Sequence, residues 1–201
     1  MKRPTLPTRP LGLAVRAITA SLMLCAGAAL AQPIKLASLV ELSGAGATSG
    51  TNFKNGIELA IKEINASGGV LGRPLATTVA DTQSNPGVAK GLATKAVDDD
   101  VFAVFGPVFS GSILVSMAET RRAEIPNFTG GEAAAITKQG NPYIFRTSFT
   151  QDTAMPKVAR YIASNLKAKT VAVIYVNNDF GKGGRQSIMQ SLEALGVKVI
   201  A

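Results

Sequence analysis

The 201-residue sequence contains no histidine, no tryptophan and a single cysteine, Cys25. Without histidine, the usual general base and the usual zinc ligand are both missing. One cysteine cannot build a disulfide framework. Zinc held by histidine or cysteine is thereby excluded, no other metal and no cofactor is expected, and any catalytic base would have to be a carboxylate or a lysine. Past the N-terminal region no stretch is apolar enough to cross a bilayer, so the chain is not expected to be membrane-embedded. A basic block past the N-terminal region is absent as well, which removes the usual footprint of a nucleic-acid binder.

The first 31 residues carry Lys2, Arg3, Arg9 and Arg16 and no acidic residue, followed by an apolar run from Ala17 to Leu30. The run is too short to span a membrane, and Ala29-Leu30-Ala31 fits a small-x-small cleavage site. Residues 1–31 therefore read as a secretory signal, the alternative being an N-terminal core helix. Leu24 before Cys25 is too large for a lipoprotein signal. Without those four basic residues, 17 of the 21 remain against 13 acidic ones, and the formal charge falls from +8 to +4. Half of the basic excess thus belongs to the export segment.

Next, Ile34 to Val40 is a short apolar run, as a buried strand would be. Phe53, Ile57, Ala60, Ile61 and Ile64 share one helical face, with Thr51 placed to cap it and Ser67-Gly68-Gly69 to end it. Leu75 to Ala80 is a second strand. Asn85-Pro86 starts a helix that the acidic run Asp98 to Asp100 should end near Val97. Val101 to Phe105, a helix opened by Ser110, and Ile125 to Phe128 then form one parallel crossover unit. Ala133 to Gly140 reads as a short helical turn and Tyr143 to Phe149 as extended. A helix with Met155, Val158, Ala159, Ile162 and Leu166 on one face precedes a strand at Val171 to Val176. Asn177 to Gly184 is read as a loop, Ile188, Leu192 and Leu195 as the face of a helix, and Val197 to Ala201 as a strand. Strands alternating with helices indicate a doubly wound parallel α/β sheet. A domain crossing is expected near Thr147 to Asp152. The second unit holds only one complete strand and two helices, too little to cover both faces of a sheet, so the chain reads as a piece of a longer protein.

Open α/β sheets bind ligands at the carboxyl ends of their strands, which draws attention to the crossover unit. Ser110 and the amides of Gly111 and Ser112 behind it make an anion-friendly helix start. An N-cap role for Ser110 is the plainer alternative, and the two can coexist. Gly130-Gly131 either ends a strand or lets a ligand approach the backbone. The loop Gly44 to Gly50 sits where a dinucleotide loop would, but its spacing is one residue too long for GxGxxG. Phe180 is an aromatic in a loop. The residues alone support an exported α/β protein with an anion-friendly crevice.

Several stretches together resemble the leucine/isoleucine/valine-binding (type I) family of periplasmic solute-binding proteins of ABC transporters. They are Ile64 to Leu75 (INASGGVLGRPL), Asp81 to Pro86, Phe105 to Ser112, Ile125-Pro126 and Asn178 to Gly181. The match runs from about Ile34 to Ala201. The resemblance implies two α/β lobes that close on a ligand, residues 32–147 forming the first and residues 148–201 beginning a second that is truncated in this chain. It places the carboxylate-receiving serine on Ser110, with Gly111 and Ser112 behind it, and the carbonyl that accepts from the ligand ammonium on Gly131. The covering aromatic of the second lobe falls on Phe180 and the first-lobe wall near Ser49. A hydroxyl residue that usually assists falls on Ala133. Positions that hold a disulfide in some relatives are Ser84 and Phe109 here.

The resemblance thus implies a periplasmic, non-enzymatic receptor that captures a branched-chain or related amino acid and delivers it to permease subunits. With Ala133 in place of a hydroxyl, a carboxylate or amide lacking an amine is the alternative ligand. A ligand-sensing domain of a signalling receptor would share the lobes, and an exported enzyme is the rival from another class.

Overall fold

The computed structural model describes residues 32–201, so the expectations for the export segment, including Cys25, lie outside the described residues. Five parallel strands form the larger sheet: β1 (Ile34–Val40), β2 (Leu75–Asp81), β3 (Ala103–Phe105), β4 (Asn127–Thr129) and β5 (Ile144–Arg146), in the order β2-β1-β3-β4-β5. Helices α1 (Ala47–Ala66), α2 (Pro86–Asp98), α3 (Ser110–Arg122) and the single turn α4 (Ala135–Lys138) make the connections. In the remainder, α5 (Gln151–Ser164) and α6 (Asp179–Glu193) accompany a two-stranded parallel sheet of β6 (Thr170–Val171) and β7 (Lys198–Val199). All strand pairs are parallel, as the alternation of elements required.

Three apolar clusters hold these layers. Ala37, Leu39 and Val104 from the sheet pack with Ala93 and Ala96 of α2, where small side chains let the helix lie close. Ile113 and Met117 of α3 pack with Ala133, Ile136 and Ile144. Ala159 of α5 meets Ile188 and Leu192 of α6 and Val197. The strand ends that matter for function are those of β1, β3 and β4, which the register brings level: Ser38 pairs with Phe105, and Phe105 with Phe128.

Several element bounds differ from the sequence expectation, and four of the differences are instructive. Helix α1 begins at Ala47, so Thr51 lies inside it. The reason is close packing: a side chain on Gly50 would run into the Glu41 carbonyl, so the small-residue loop continues as the first helical turn against the end of β1. Helix α2 continues to Asp98, one residue past the expected stop, with Lys95 pairing with Asp99 at 2.7 Å to offset the acidic run. The expected strand Val171 to Val176 forms a regular ladder only at Thr170–Val171, paired with Lys198–Val199, beyond which the Val173 amide donates to the Ala201 carbonyl at 2.8 Å. Finally, the segment read as a loop from Asn177 begins α6 at Asp179. Asn178 caps it by accepting from the Gly181 amide at 2.9 Å, and Gly181 packs where a Cβ would strike the Val176 carbonyl. Three glycines within the first six residues of α6 had concealed the cap signal.

Candidate ligand crevice

The crevice is built from the turn that follows β3. Gly106 has φ +91° and lies where any side chain would collide with the Leu39 carbonyl, so only glycine carries the chain over β1 there. Asn127 fixes the turn from β4, its Nδ2 donating to the Gly106 carbonyl at 2.7 Å. The next two amides point at a buried carboxylate. Glu41, fully buried at the end of β1, accepts from Val108 N–H at 3.0 Å and Phe109 N–H at 3.1 Å. A negative group at this position also complements the helix that starts one residue later.

Ser110 is the first residue of α3, and Phe109 takes the N-cap position with no side-chain cap. The Ser110 hydroxyl is therefore not a cap; its Oγ accepts from the Ala133 amide at 3.3 Å, tying α3 to the loop after β4. The first amides of a helix have no intrahelical acceptor. Behind them the Ser112 hydroxyl is buried without a hydrogen-bond partner, as is that of Thr129 at the end of β4.

The start of α6 faces the start of α3. A Cβ placed on Gly111 would sit 2.9 Å from Asp179 Oδ2, so the first turns of the two helices approach side by side. Gln151, buried at the start of α5, joins the two sides. Its amide donates to the Glu132 carbonyl at 3.0 Å, its Nε2 donates to the Phe180 carbonyl at 2.7 Å, and its carbonyl accepts from Ser187 at 3.4 Å. Beside this junction a cavity of about 480 Å³ runs along the flanks of α3 and α6, lined by Leu114, Ala133, Asp179, Gly183 and Ser187 among others. Of the residues selected from sequence it touches only Ala133.

Charge is arranged around the loop 131–133. The Arg146 guanidinium donates to the Gly131 carbonyl, to the Ala133 carbonyl at 2.9 Å and to Thr137 at 3.1 Å. Ser148 adds a second donor to the Gly131 carbonyl at 3.2 Å. Burial holds the Glu132 carboxyl above its ordinary range, opposed by the Arg146 charge. Burial likewise lowers the affinity of Arg146 for its proton, opposed by Glu132 and Asp152.

A family model described as periplasmic binding protein matches residues 33–201. The chain belongs to the periplasmic binding protein family. Among its relatives, a Leu/Ile/Val-binding protein of Rhizobium johnstonii is 32% identical over 165 residues, covering 82% of this chain and 45% of the relative. The branched-chain amino acid binding protein LivJ of Streptococcus pneumoniae, solved with isoleucine, superposes with a TM-score of 0.77 at 30% identity, covering 84% of this chain and 48% of that one. A solute-binding protein from R. palustris, solved with 4-hydroxybenzoate, gives 0.74 at 26% identity over 84% and 45%. The chain spans about half the length of these relatives. The fold is thus the type I periplasmic-binding α/β fold.

Within this periplasmic binding protein, Ser110 is bonded to the Ala133 amide of the loop that holds Gly131, Gly111 lies beside Asp179, and Gln151 holds the Phe180 carbonyl. Ser49 is exposed on the first turn of α1, and the loop before it reaches the junction through Gly46, which lies against the Phe109 ring. Phe180 is 40% exposed and sits in the first turn of α6 rather than in a loop. The Gly131 carbonyl already accepts two donors from the chain, and Gly131 is glycine because Ile113 and Ile136 fill the space a side chain would need. The Ala133 methyl belongs to the core beside Ile113 and Met117. Glu41, Arg146 and Gln151 had no local signature in the sequence. Their partners lie 67, 15 and 29 positions away, so only the folded topology reveals them.

Among the described residues no helix is long and apolar enough to cross a membrane.

Proposed function

We propose that this chain is the ligand-capturing part of an ABC-transporter solute receptor for a branched-chain or related amino acid. Residues 32–147 act as one jaw and residues 148–201 begin the other, with residues 1–31 directing export to the periplasm. The carboxylate docks at the start of α3, where Ser110 and the amides of Gly111 and Ser112 gather, and Phe180 covers the apolar part from α6. Ser49 contributes to the wall on the α1 side. Ligand contact with both jaws favours the closed form, the form that permease subunits accept, by population shift. On this reading the ligand is delivered unchanged.

The observation that carries this reading is the junction of the two helix starts, with Ser110 on one side and Phe180 on the other, joined through Gln151. The relatives named for leucine, isoleucine and valine support the same ligand class. A second reading, a receptor for a carboxylate without an amine, draws on the engaged Gly131 carbonyl and the R. palustris relative.

A thermal-shift screen of the full chain separates them. Ligand at 100 times its dissociation constant stabilises by about 2.7 kcal/mol. Leucine, isoleucine or valine should raise Tm, with benzoates silent. A shift with benzoates alone selects the second reading, and silence across amino acids, amides and aromatic acids overturns both.

A further inference from the structure

The segment that leaves β5 stays tied to the larger sheet as far as Ser148. The Thr147 amide donates to the Thr129 carbonyl at 2.9 Å, and the Ser148 hydroxyl donates to that of Gly131 at 3.2 Å. Thr150 then caps α5, accepting from the Thr153 amide at 3.2 Å. Gln151 comes next, only 1% exposed, and it holds both sides at once. Its amide reaches back to the Glu132 carbonyl at 3.0 Å, one residue before the amide that donates to Ser110 Oγ. Its side chain reaches forward to α6 and donates to the Phe180 carbonyl at 2.7 Å.

The chain bears two costs for this contact. Gly183 and Gly184 stand inside α6, where glycine is disfavoured. A Cβ on Gly183 would lie 2.7 Å from Gln151 Oε1 and one on Gly184 would lie 3.1 Å from Nε2, so the glycine pair leaves the bare seat in which the carboxamide rests. Oε1 is also buried without a hydrogen-bond partner among the described residues, a penalty that an apolar side chain of similar length would avoid. What the carboxamide alone supplies is the N–H donor to Phe180. That donor acts where the backbone carries the covering aromatic. Phe180 is 40% exposed, so burial does not hold its ring; its direction follows from the first turn of α6, which Asn178 caps and Gln151 grips.

Resting on the amino-acid reading above, we infer that Gln151 is a positioning residue, which aims Phe180 at the crevice and thereby sets the preference for a large apolar ligand side chain.

Calorimetry on the full chain with L-leucine and L-alanine tests this, since the two share their charged ends and differ in apolar length. Wild type should bind leucine about tenfold or more tightly, as burial of the additional carbons requires. Gln151→Met keeps the length of the side chain without its donor. It should lose roughly fivefold or more on leucine and less than about twofold on alanine. The double variant with Phe180→Ala should bind leucine no more weakly than Phe180→Ala alone, because the two residues act through one contact. Gly183→Ala, which fills the seat from the α6 side, should reproduce the leucine-selective loss, and it decides the matter where Gln151→Met does not fold. Equal wild-type affinities, equal losses on both amino acids, or a leucine affinity that Gln151→Met and Gly183→Ala leave unchanged overturn the assignment alone. A wild-type chain that binds neither amino acid overturns the amino-acid reading and the assignment with it.

Discussion

Replacing Glu41 removes the one acceptor that two amides of the α3 entry turn share. The side chain is fully buried, at 0% exposure, and its two bonds are 3.0 and 3.1 Å long. Hydrogen bonds to a charged group are worth roughly 1.5–3 kcal/mol each, and a buried amide left without a partner retains its full desolvation cost. Glu41→Ala abandons both amides and leaves a void beneath Gly46, so we expect a loss of about 3–5 kcal/mol. Glu41→Gln keeps one acceptor oxygen and sets an NH₂ against the other amide, so about half of that loss remains, roughly 1.5–2.5 kcal/mol. Set against a typical stability of about 5–15 kcal/mol, the alanine variant should be near its folding limit. Urea unfolding of the full chain measures this as a fall in midpoint at constant m. Both variants unfolding within about 0.5 kcal/mol of wild type, inside the range of ordinary surface substitutions, would show that the turn does not depend on Glu41.

Other expectations follow from single contacts. Gly131→Ala should cost about 1–3 kcal/mol by overpacking, since the added methyl meets Ile113 and lies 2.8 Å from the Ile136 Cδ1; an unchanged thermal midpoint would contradict this. Asp81 binds Ser43 Oγ at 2.6 Å and the amides of Leu42, Ser43 and Gln83, and the Ser43 hydrogen bond foremost holds its carboxyl below the ordinary 3.8. Its stabilising effect is complete above that ordinary value and disappears as pH falls through the lowered one. Wild type should thus exceed Asp81→Asn by about 1 kcal/mol at neutral pH and converge with it in acid; a constant gap refutes the linkage.

The strands and helices were legible in the sequence because apolar spacing at periods of two and 3.6 records which side of an element is covered. Ile34–Val40 appears in the fold with the bounds the pattern predicts. What local pattern could not show is partnership at a distance. Ile57 and Ile61 read as a buried face, yet in the fold they are half-buried and Ile64 is 37% exposed, because burial depends on what packs opposite. The start of α6 was missed because Gly181, Gly183 and Gly184 weaken the helical signal, and the packing that requires Gly181 comes from Val176. At the crevice, the family resemblance singled out Ser110 and Phe180 as candidates. The state of the Gly131 carbonyl could not, because Arg146 and Ser148 reach it from the far side of the loop after β4.

The central claim is that the start of α3 receives the solute's carboxylate. Calorimetry with L-leucine on the full chain and on Ser110→Ala tests it most directly, with circular dichroism to confirm that the variant is folded. Loss of a hydrogen bond to a charged ligand group should weaken binding by about 1–3 kcal/mol, roughly 5- to 150-fold, in the variant. A folded Ser110→Ala chain that binds leucine with wild-type affinity would contradict the account.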